Sequence, residues 1–458
     1  MLWERDMVAY MDKLLVIKEL FRLFQSQDYD TLVKEIADTN AVNVAEFLEE
    51  LSDENRIFVF NIMDSEQCAE VLTYIDEDIR EDIVEKISDE KLKDIIDNAF
   101  IDDAVDFLSD APAELVSKVL RNTDTGRREI INRLLNYPEN SAGSIMTVEY
   151  VELNIKNTVD EAMKIIKVTG EDKKTLYSCY VTDDNRNLRG VVYLKTLIFS
   201  KGDEIIKNLM NDDYISVNVD DDREYVAQLF KKYNLIAMPV TDMKGALVGI
   251  ITIDDIVDVI DEESTEDIEK MSGLVPSEDE YLKTSVWTLS KNRILWLLIL
   301  MVSGTLTGSI IGKYEDILSS VVILASFVPL LMDTGGNAGS QASTLIIRGM
   351  ALGEIRTRDI FRVIWKEMRV GVLCGLCLGS VNFLRLMIFS HQNFLINFTV
   401  SLSIVCVVVV AKTVGCILPI IAKKLKIDPA IMAGPFISTV VDVITLLIFF
   451  NLSNIFIF

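Results

Sequence analysis

The sequence predicts a multidomain membrane protein in which a soluble, acidic front is followed by a five-helix transmembrane domain. The 458 residues have a formal net charge of -26, but the charge is uneven. Residues 1–291 contain 63 acidic and 32 basic residues, whereas residues 292–458 contain 8 and 13. Apolar runs of the ~20 residues that a helix needs to cross a bilayer recur in the second part. An internal repeat in the front predicts a duplicated module there.

Residues 1–138 predict an acidic domain built of short stacked α-helices. Apolar patterns with a helical period, such as VAEFLEEL, EQCAEVLTYI and AELVSKVL, are interrupted at regular short intervals. The acidic segments SDENR and SDEKL stand where helix N-caps are expected. Short helices that each bury one face stack into a superhelix. Their acidic polar faces attract cations and repel nucleic acid, so we expect no nucleic-acid partner.

Residues 139–260 contain an internal repeat, which predicts one α/β module at 139–204 and a second at 205–260. MTVEYVELNIKNTVDEAMKIIK is similar to MNDDYISVNVDDDREYVAQLFK, and VTDDNRNLRGVVYLKTL is similar to VTDMKGALVGIITIDDI. Each copy is typical of the order strand, helix, strand, turn, strand, helix. The repeat therefore predicts a tandem pair of small α/β modules.

Residues 261–291 predict a helix that connects this pair to the membrane domain. Acidic residues are dense around its start. The spacing of Asp254, Asp258 and Asp261 places these three on about the same face of a helix. Carboxylate oxygens suit the hard cation Mg²⁺, so the cluster is a candidate regulatory Mg²⁺ site; the alternative is a solvated helix face. The candidate ligands are Asp254, Asp258, Asp261, Glu262, Glu263, Glu266 and Asp267.

Five membrane spans are predicted within residues 292–458. Basic residues concentrate in the loop between spans two and three and in the loop between spans four and five. The positive-inside rule places these loops, and with them the acidic front, in the cytosol. We therefore expect a multi-pass plasma-membrane protein whose C-terminus lies outside. The predicted spans are 293–312, 317–335, 369–389, 396–421 and 431–456.

Two polar features lie within the apolar spans. Glycines in the segment MDTGGNAGSQAS, residues 332–343, are expected to break or kink the second span and to expose carbonyls, Asn337 and Gln341 to a water-filled path. The alternative is a packing interface of small residues. Asp442 lies within the fifth span, where an Asp costs roughly 2.5 to 3.5 kcal/mol. A carboxylate retained there predicts a cation site.

The duplicated module resembles a pair of CBS domains, regulatory modules that often sense adenosine nucleotides or ions. In the second copy, Gly249, Thr252 and Asp255 match the GxxTxxD ribose-contact motif of that family. The first copy has Tyr193 and Thr196 where Thr and Asp would stand. The resemblance implies one nucleotide site, with Thr252 and Asp255 as the candidate contacts of ATP. The alternative is a strand-to-helix turn that defines the fold and binds no ligand.

The order of the modules and both membrane motifs together resemble the MgtE family of magnesium channels and transporters, over nearly the whole chain. The family motif DPAxxxxPxxxTxxD runs here from Asp428 to Asp442, and its GGN ends at Asn337. The resemblance implies a homodimer with a pore on the dimer axis and Asp442 as the central pore aspartate. It also implies that Asp428, near a linker "plug" helix, is a further regulatory Mg²⁺ ligand. Gly434 departs from the pattern, since some members carry Asn there.

The function predicted from this resemblance is Mg²⁺ uptake through a dimeric channel or transporter that intracellular Mg²⁺ closes by binding the acidic sensor. One rival is a proton-coupled divalent-cation secondary transporter that uses Asp442 as a proton carrier. Another is a CBS-regulated membrane sensor without transport. An enzyme is not expected, because the sequence has no Walker loop, zinc motif or catalytic Cys/His pair. The single histidine, His391, lies in a predicted outer loop.

Overall fold

The computed structural model describes residues 15–277, 281–282, 284–389 and 392–458. The chain divides into two compact units, Met1–Val259 and Ile260–Phe458, each with its own core. The predicted outer-loop position of His391 lies outside the described residues.

The front of the first unit consists of short α-helices that bury aliphatic and aromatic side chains in a continuous core. Odd-numbered helices pack on one another in order, α3 on α5, α5 on α7 and α7 on α9. This stacking gives the predicted superhelix. The helices are α1 (15–25), α2 (Tyr29–Asp38), α3 (Ala41–Glu49), α4 (Asp53–Ile62), α5 (Ser65–Leu72), α6 (Glu77–Lys86), α7 (Asp89–Asn98), α8 (Ile101–Asp110), α9 (Ala113–Asn122) and α10 (Thr125–Leu134).

Side-chain caps explain where several of these helices begin. Ser88, in the segment SDEKL, accepts a hydrogen bond from the backbone N–H of Lys91 and caps α7 as predicted. Ser52, in the segment SDENR, stands at the equivalent position of α4, but its side chain makes no capping bond. The two similar segments thus begin their helices by different means.

The two α/β modules follow in the predicted order of elements. In each one the first strand pairs parallel with the second, and the second pairs antiparallel with the third. The first module contains β1 (Glu152–Asn154), α11 (Val159–Thr169), β2 (Ser178–Thr182), β3 (Leu188–Tyr193) and α12 (Leu194–Phe199). The second contains β4 (Val217–Asn218), α13 (Arg223–Tyr233), β5 (Ala237–Thr241), β6 (Leu247–Thr252) and the start of α14 (Ile253–Met271).

The connecting helix differs from the prediction at both ends. It is the continuation of α14, which begins at Ile253 and ends at Met271, and residues 272–277 are not helical. The predicted range, 261–291, missed this because acidic and apolar residues continue beyond Met271, while Gly273, with a positive φ of 74°, ends the helix.

The second unit is a helical membrane domain. Within the described residues, four helical segments are long and apolar enough to cross a bilayer, namely Val286–Lys313, Thr357–Phe389, Phe394–Lys424 and Pro429–Phe456. They contain α15 (Val286–Lys313), α18 (Ile360–Phe389), α19 (Phe394–Lys424) and α20 (Gly434–Phe456). Between α15 and α18 lie α16 (Glu315–Ser320), a 3₁₀ segment (Val322–Phe327) and α17 (Val328–Ala351). The predicted fold class, with its fifth helix α17, is confirmed.

Helix α17 corrects the prediction for the second span. The predicted span, 317–335, is not one helix, and α17 runs without a break through the polar segment 332–343 that was expected to break it. The glycines serve the alternative role, close packing between helices. A Cβ atom added to Gly339 would lie 2.7 Å from the Ile437 side chain, and one added to Gly415 would lie 2.3 Å from the Gly339 carbonyl oxygen.

Replacing Gly415 with Ala should destabilise the membrane domain, because the new methyl group collides with the backbone of α17 rather than with a movable side chain. Overpacking of this kind costs about 1–3 kcal/mol. We expect a lower thermal unfolding temperature and a smaller monodisperse fraction in detergent. Gly304→Ala, on α15 where no described residue outside the same stretch of helix lies within 4 Å of the new methyl, is the matched control. An unchanged unfolding temperature for Gly415→Ala would contradict the packing described above.

Candidate ion path and cation-binding residues

Asp442 lies two turns into α20, at the edge of the face that packs on α17. The helix begins at Gly434, whose φ is 30°, and Pro435 occupies its first turn. Val441 packs beside Gly335 and Gly339 of α17, and the neighbouring Asp442 is half-buried. No hydrogen-bond donor to its carboxylate occurs within the part of the chain that the structure describes. Among the described residues, this carboxylate is therefore held at membrane depth without a hydrogen-bond partner.

Two backbone carbonyls at the start of α20 accept hydrogen bonds from side-chain hydroxyls of the same helix. The hydroxyl of Ser438 donates to the Gly434 carbonyl at 3.1 Å, and that of Thr439 donates to the Pro435 carbonyl at 3.0 Å. The side chains one turn onward satisfy these oxygens, and Asp442 is the carboxylate that α20 offers deeper in the domain.

Three polar residues form a stripe on α17. Asp333, Asn337 and Gln341 recur every four residues, so they share one face, and all three are exposed in the protomer. The Asn337 amide donates to the Asp333 carboxylate at 3.1 Å. The helix that carries Asn337 and Gln341 is intact, and their exposure to a water-filled path stays a prediction.

Gln341 is turned toward a residue that the sequence reasoning missed. The Lys412 ammonium, on α19, lies 3.5 Å from the Gln341 side-chain oxygen. Lys412 is only 6% exposed. The signal was present in the sequence, since VVVVAKTVG places one lysine inside the predicted fourth span. Glu367, which is 9% exposed on α18, was also missed, because the predicted third span began two residues after it.

Lys270 joins the end of α14 to the segment before α20. Its ammonium lies 2.6 Å from the Asp428 carboxylate and also pairs with Glu266. Asp428 in turn accepts a hydrogen bond from the Ala430 N–H at 2.8 Å, which caps the 3₁₀ segment Pro429–Met432. Of the predicted regulatory ligands, Asp428 and Glu266 are thus gathered around a lysine.

Asp267 lies beside this group and is poorly solvated. Burial, reinforced by the charge of Asp428, raises the pKa of Asp267 to about 6. Burial opposes the charge of Lys270, but its hydrogen bonds to Asp428 and Glu266 outweigh that effect and raise the pKa of Lys270. The end of α14 therefore lies among several carboxylates whose charge is compensated by one lysine, Lys270.

A second lysine-centred cluster lies in the first unit. The Lys174 ammonium is 2.9 Å from Asp102 and 3.2 Å from Asp103, both on α8, and 3.8 Å from Asp254 at the start of α14. Burial disfavours the charge on Lys174, but Asp102 and Asp103 outweigh it and raise its pKa. Burial together with Asp102 raises the pKa of Asp255. One Asp102 oxygen, Oδ1, is buried and accepts no hydrogen bond from the described residues.

The two candidate nucleotide contacts bond to each other. The buried Thr252 hydroxyl donates to the Asp255 carboxylate at 2.6 Å, across the turn from β6 into α14. This bond fixes the turn, which is what the alternative interpretation of the GxxTxxD match requires.

The remaining predicted regulatory residues lie along α14. Asp258, Asp261 and Glu262 are exposed and Glu263 is half-buried. Among the residues that the structure describes, no group of three or more carboxylate, histidine or cysteine side chains is arranged to hold a metal ion. The predicted regulatory ligands other than Asp428 are therefore spread along α14, and Glu266 meets Asp428 through Lys270.

The fold and the site define a class of integral membrane protein, in which an acidic helical domain and a duplicated α/β module are attached to a glycine-packed helical domain with an intramembrane carboxylate. Residues 39–140 match the family model of the MgtE intracellular N domain. Residues 142–201 and 206–262 match the CBS domain, and residues 328–452 match MgtE, a divalent cation transporter family. The chain belongs to the MgtE family, which confirms the family predicted from the sequence.

Named relatives cover almost the whole chain. The chain is 33% identical over 409 residues to the magnesium transporter MgtE of Thermus thermophilus, with 89% of this chain and 90% of the relative covered. It is 31% identical over 455 residues to the magnesium transporter MgtE of Bacillus subtilis, with 95% and 99% covered.

Two solved structures resemble the front of the chain. A crystal structure of the soluble part of a magnesium transporter has a TM-score of 0.53 and 30% identity, with 55% of this chain and 99% of that chain covered. The cytosolic domain of the Mg²⁺ channel MgtE in complex with ATP has a TM-score of 0.51 and 29% identity, with 53% and 99% covered.

Replacing Lys174 with Met should destabilise the first unit by about 3 kcal/mol, because carboxylates buried with the lysine lose their cation. Added Mg²⁺ should restore part of the loss, since a divalent cation can neutralise the same carboxylates. Thermal unfolding of the full-length protein in detergent, with and without Mg²⁺, measures both effects. Lys167→Met, an exposed lysine on α11, is the matched control. Equal unfolding temperatures for the two variants would contradict a stabilising role of Lys174.

Proposed function

We propose that this protein is a homodimeric Mg²⁺ channel or transporter of the plasma membrane that takes up Mg²⁺ and is closed by intracellular Mg²⁺. The observation that carries the proposal is Asp442, a half-buried carboxylate at membrane depth that accepts no hydrogen bond from the described residues. The relatives' name, magnesium transporter MgtE, supports Mg²⁺ as the transported ion.

A dimer supplies what one protomer lacks. A twofold axis beside α20 brings two copies of Asp442 together, and a divalent cation relieves the repulsion between them. Mg²⁺ dehydrates reluctantly and keeps several waters when bound, so a hydrated ion suits two carboxylates better than a closed cage. Asn337, exposed one turn beyond Asp333 on α17, is the polar neighbour that would contact the ion's waters.

The regulatory part of the proposal rests on carboxylates that outnumber the lysines beside them. Lys174 and Lys270 each neutralise only part of the acid around them, and Asp102 Oδ1 is buried without a hydrogen bond from the described residues. Such an oxygen fits a divalent cation, which would bind Asp102 and its neighbours and the acids of α14. Each cation bound would favour the compact, closed arrangement by its higher affinity for that state.

The end of α14 supplies the connection between sensor and path in this proposal. The carbonyl oxygen of Met271 lies against Gly434, where an added Cβ would be 2.3 Å away, and Gly273 packs on Pro435. The first turn of the Asp442 helix is therefore in contact with the segment whose acids would bind Mg²⁺. Release of that segment frees the cytosolic end of α20.

Orientation and nucleotide binding complete the proposal. The basic residues between α17 and α18 and those at the end of α19 face the cytosol by the positive-inside rule, and the C-terminus then lies outside. The ATP complex of a related cytosolic domain supports a nucleotide site at the CBS pair, with Thr252 and Asp255 as its contacts.

A proton-coupled transporter is the second candidate, and the two buried charges of the membrane helices favour it. Such a transporter uses ionisable partners at membrane depth, and Lys412 and Glu367 are buried there. Unitary Mg²⁺ currents that persist without a proton gradient favour the channel. Flux that stops when the gradient is collapsed favours coupled transport.

Replacing Asp442 with Asn should reduce Mg²⁺ flux into proteoliposomes to the level of protein-free vesicles. The amide keeps the shape of the side chain and removes the charge that binds the ion. A Mg²⁺-sensitive dye inside the vesicles measures the flux. Asp316→Asn, the same substitution outside the path on α16, should leave flux unchanged. Wild-type flux in Asp442→Asn would overturn the proposed path.

Replacing Lys270 with Met should weaken closure by Mg²⁺, since Asp428 and the α14 acids then repel each other. A partly exposed ion pair contributes roughly 0.5–1 kcal/mol, which corresponds to an increase of about threefold in the half-inhibitory internal Mg²⁺ concentration. Mg²⁺ flux measured at graded internal Mg²⁺ concentrations gives this half-inhibitory concentration. Lys366→Met, an exposed lysine near the start of α18, controls for loss of a basic residue, and an unshifted inhibition curve for Lys270→Met would argue against the contact as a gate.

A further inference from the structure

Lys412 is a buried positive charge whose place in the fold is beside the proposed ion path. It is 6% exposed, and its ammonium lies 3.5 Å from the oxygen of Gln341, which belongs to the exposed polar stripe of α17. Gln341 therefore presents its carbonyl oxygen to the lysine. Gln341 stays a predicted pore ligand, and its side-chain oxygen faces a buried positive charge.

The helix contacts place Lys412 and Asp442 at neighbouring levels. A Cβ added to Gly339 would lie 3.4 Å from the carbonyl oxygen of Ala411 on one side and 3.2 Å from the Val441 side chain on the other. Ala411 of α19 and Val441 of α20 therefore lie at about the same level along the helix axes, beside Gly339. Lys412 directly follows Ala411 in the sequence, and Asp442 directly follows Val441. With a rise of 1.5 Å per residue, the two charges lie within about 10 Å along the helix axes.

A second buried charge lies on α18, at about the level of Lys412. Glu367 is 9% exposed on α18. One turn further along α18, Gly371 packs on Val409 of α19, which brings Glu367 to the level of Lys412. The two side chains form no ion pair among the described contacts, so the carboxylate only partly offsets the ammonium.

We propose that Lys412 sets how tightly the path holds Mg²⁺, as a fixed positive charge behind Gln341. A conducting site must bind its ion well enough to admit it and weakly enough to release it. Carboxylates at Asp442 and Asp333 attract the ion, and the ammonium of Lys412 opposes its accumulation in a poorly screened interior. The inference deepens the proposed function and rests on it.

The signs of the expected effects follow from the charges. Lys412→Met removes the opposing charge and nearly keeps the side-chain length, so the external Mg²⁺ concentration at half-maximal flux should fall about tenfold and maximal flux should also fall, because release is slower. Lys412→Arg keeps the charge and should stay within about twofold of the wild type. Glu367→Gln leaves the ammonium less compensated and should raise the half-maximal concentration.

The experiment is Mg²⁺ flux into proteoliposomes at graded external Mg²⁺, with folding checked by size-exclusion chromatography. Lys423→Met, at the exposed end of the same helix, is the matched control and should not shift the curve. Opposite shifts for Lys412→Met and Glu367→Gln support an electrostatic role, because a merely structural role would lower yield or maximal flux without opposite shifts. A half-maximal concentration within twofold of the wild type in Lys412→Met overturns the proposal.

Two further variants keep the test decisive. If Lys412→Met does not fold, Gln341→Glu neutralises the lysine from the exposed side of α17 and should also lower the half-maximal concentration; an unchanged value overturns the proposal. Asp442→Asn separates the two claims. If Asp442→Asn abolishes flux while Lys412→Met behaves as the wild type, only the role of Lys412 fails. If Asp442→Asn conducts normally, the proposed path fails, and the inference fails with it.

Discussion

The close backbone approach of α17, α19 and α20 is the constraint on which the membrane domain depends. The Gly339 carbonyl oxygen faces Gly415 at a distance that no side chain at that position would permit. Lipid offers helices little hydrophobic reason to associate, so packing of small residues has to hold them together. Val441 packs against Gly335 and Gly339 of α17, which fixes the level of Asp442 relative to the polar stripe of the same helix.

A second recurring feature is that the acidic chain carries its own cations. Lys174 stands among the carboxylates of α8 and α14, Lys270 joins Glu266 to Asp428, and Lys412 lies behind Gln341. The charge of a lysine is covalently attached and cannot dissociate, whereas a bound divalent ion can. Partial compensation by lysine leaves acidic groups that are stable when folded and still attract a free cation.

The sequence predicted the helical domain, the duplicated module and the membrane domain because each rests on a local pattern of apolar residues and turns. It did not predict that the segment 332–343 stays helical. Glycine-rich sequence is compatible with both a broken helix and a packed one, and neighbouring helices decide between them. Lys412 and Glu367 were overlooked for a similar reason, since burial of a charge depends on helices that are distant in sequence.

What the sequence by itself determined is the order of the domains, the family and the presence of a carboxylate at membrane depth, because composition and spacing encode them along the chain. Only the tertiary structure decided which polar groups meet. Asp428 pairs with Lys270 across 158 residues, and Gln341 meets Lys412 across 71. Such pairs depend on how helices pack in three dimensions, and no periodicity along the sequence records that arrangement.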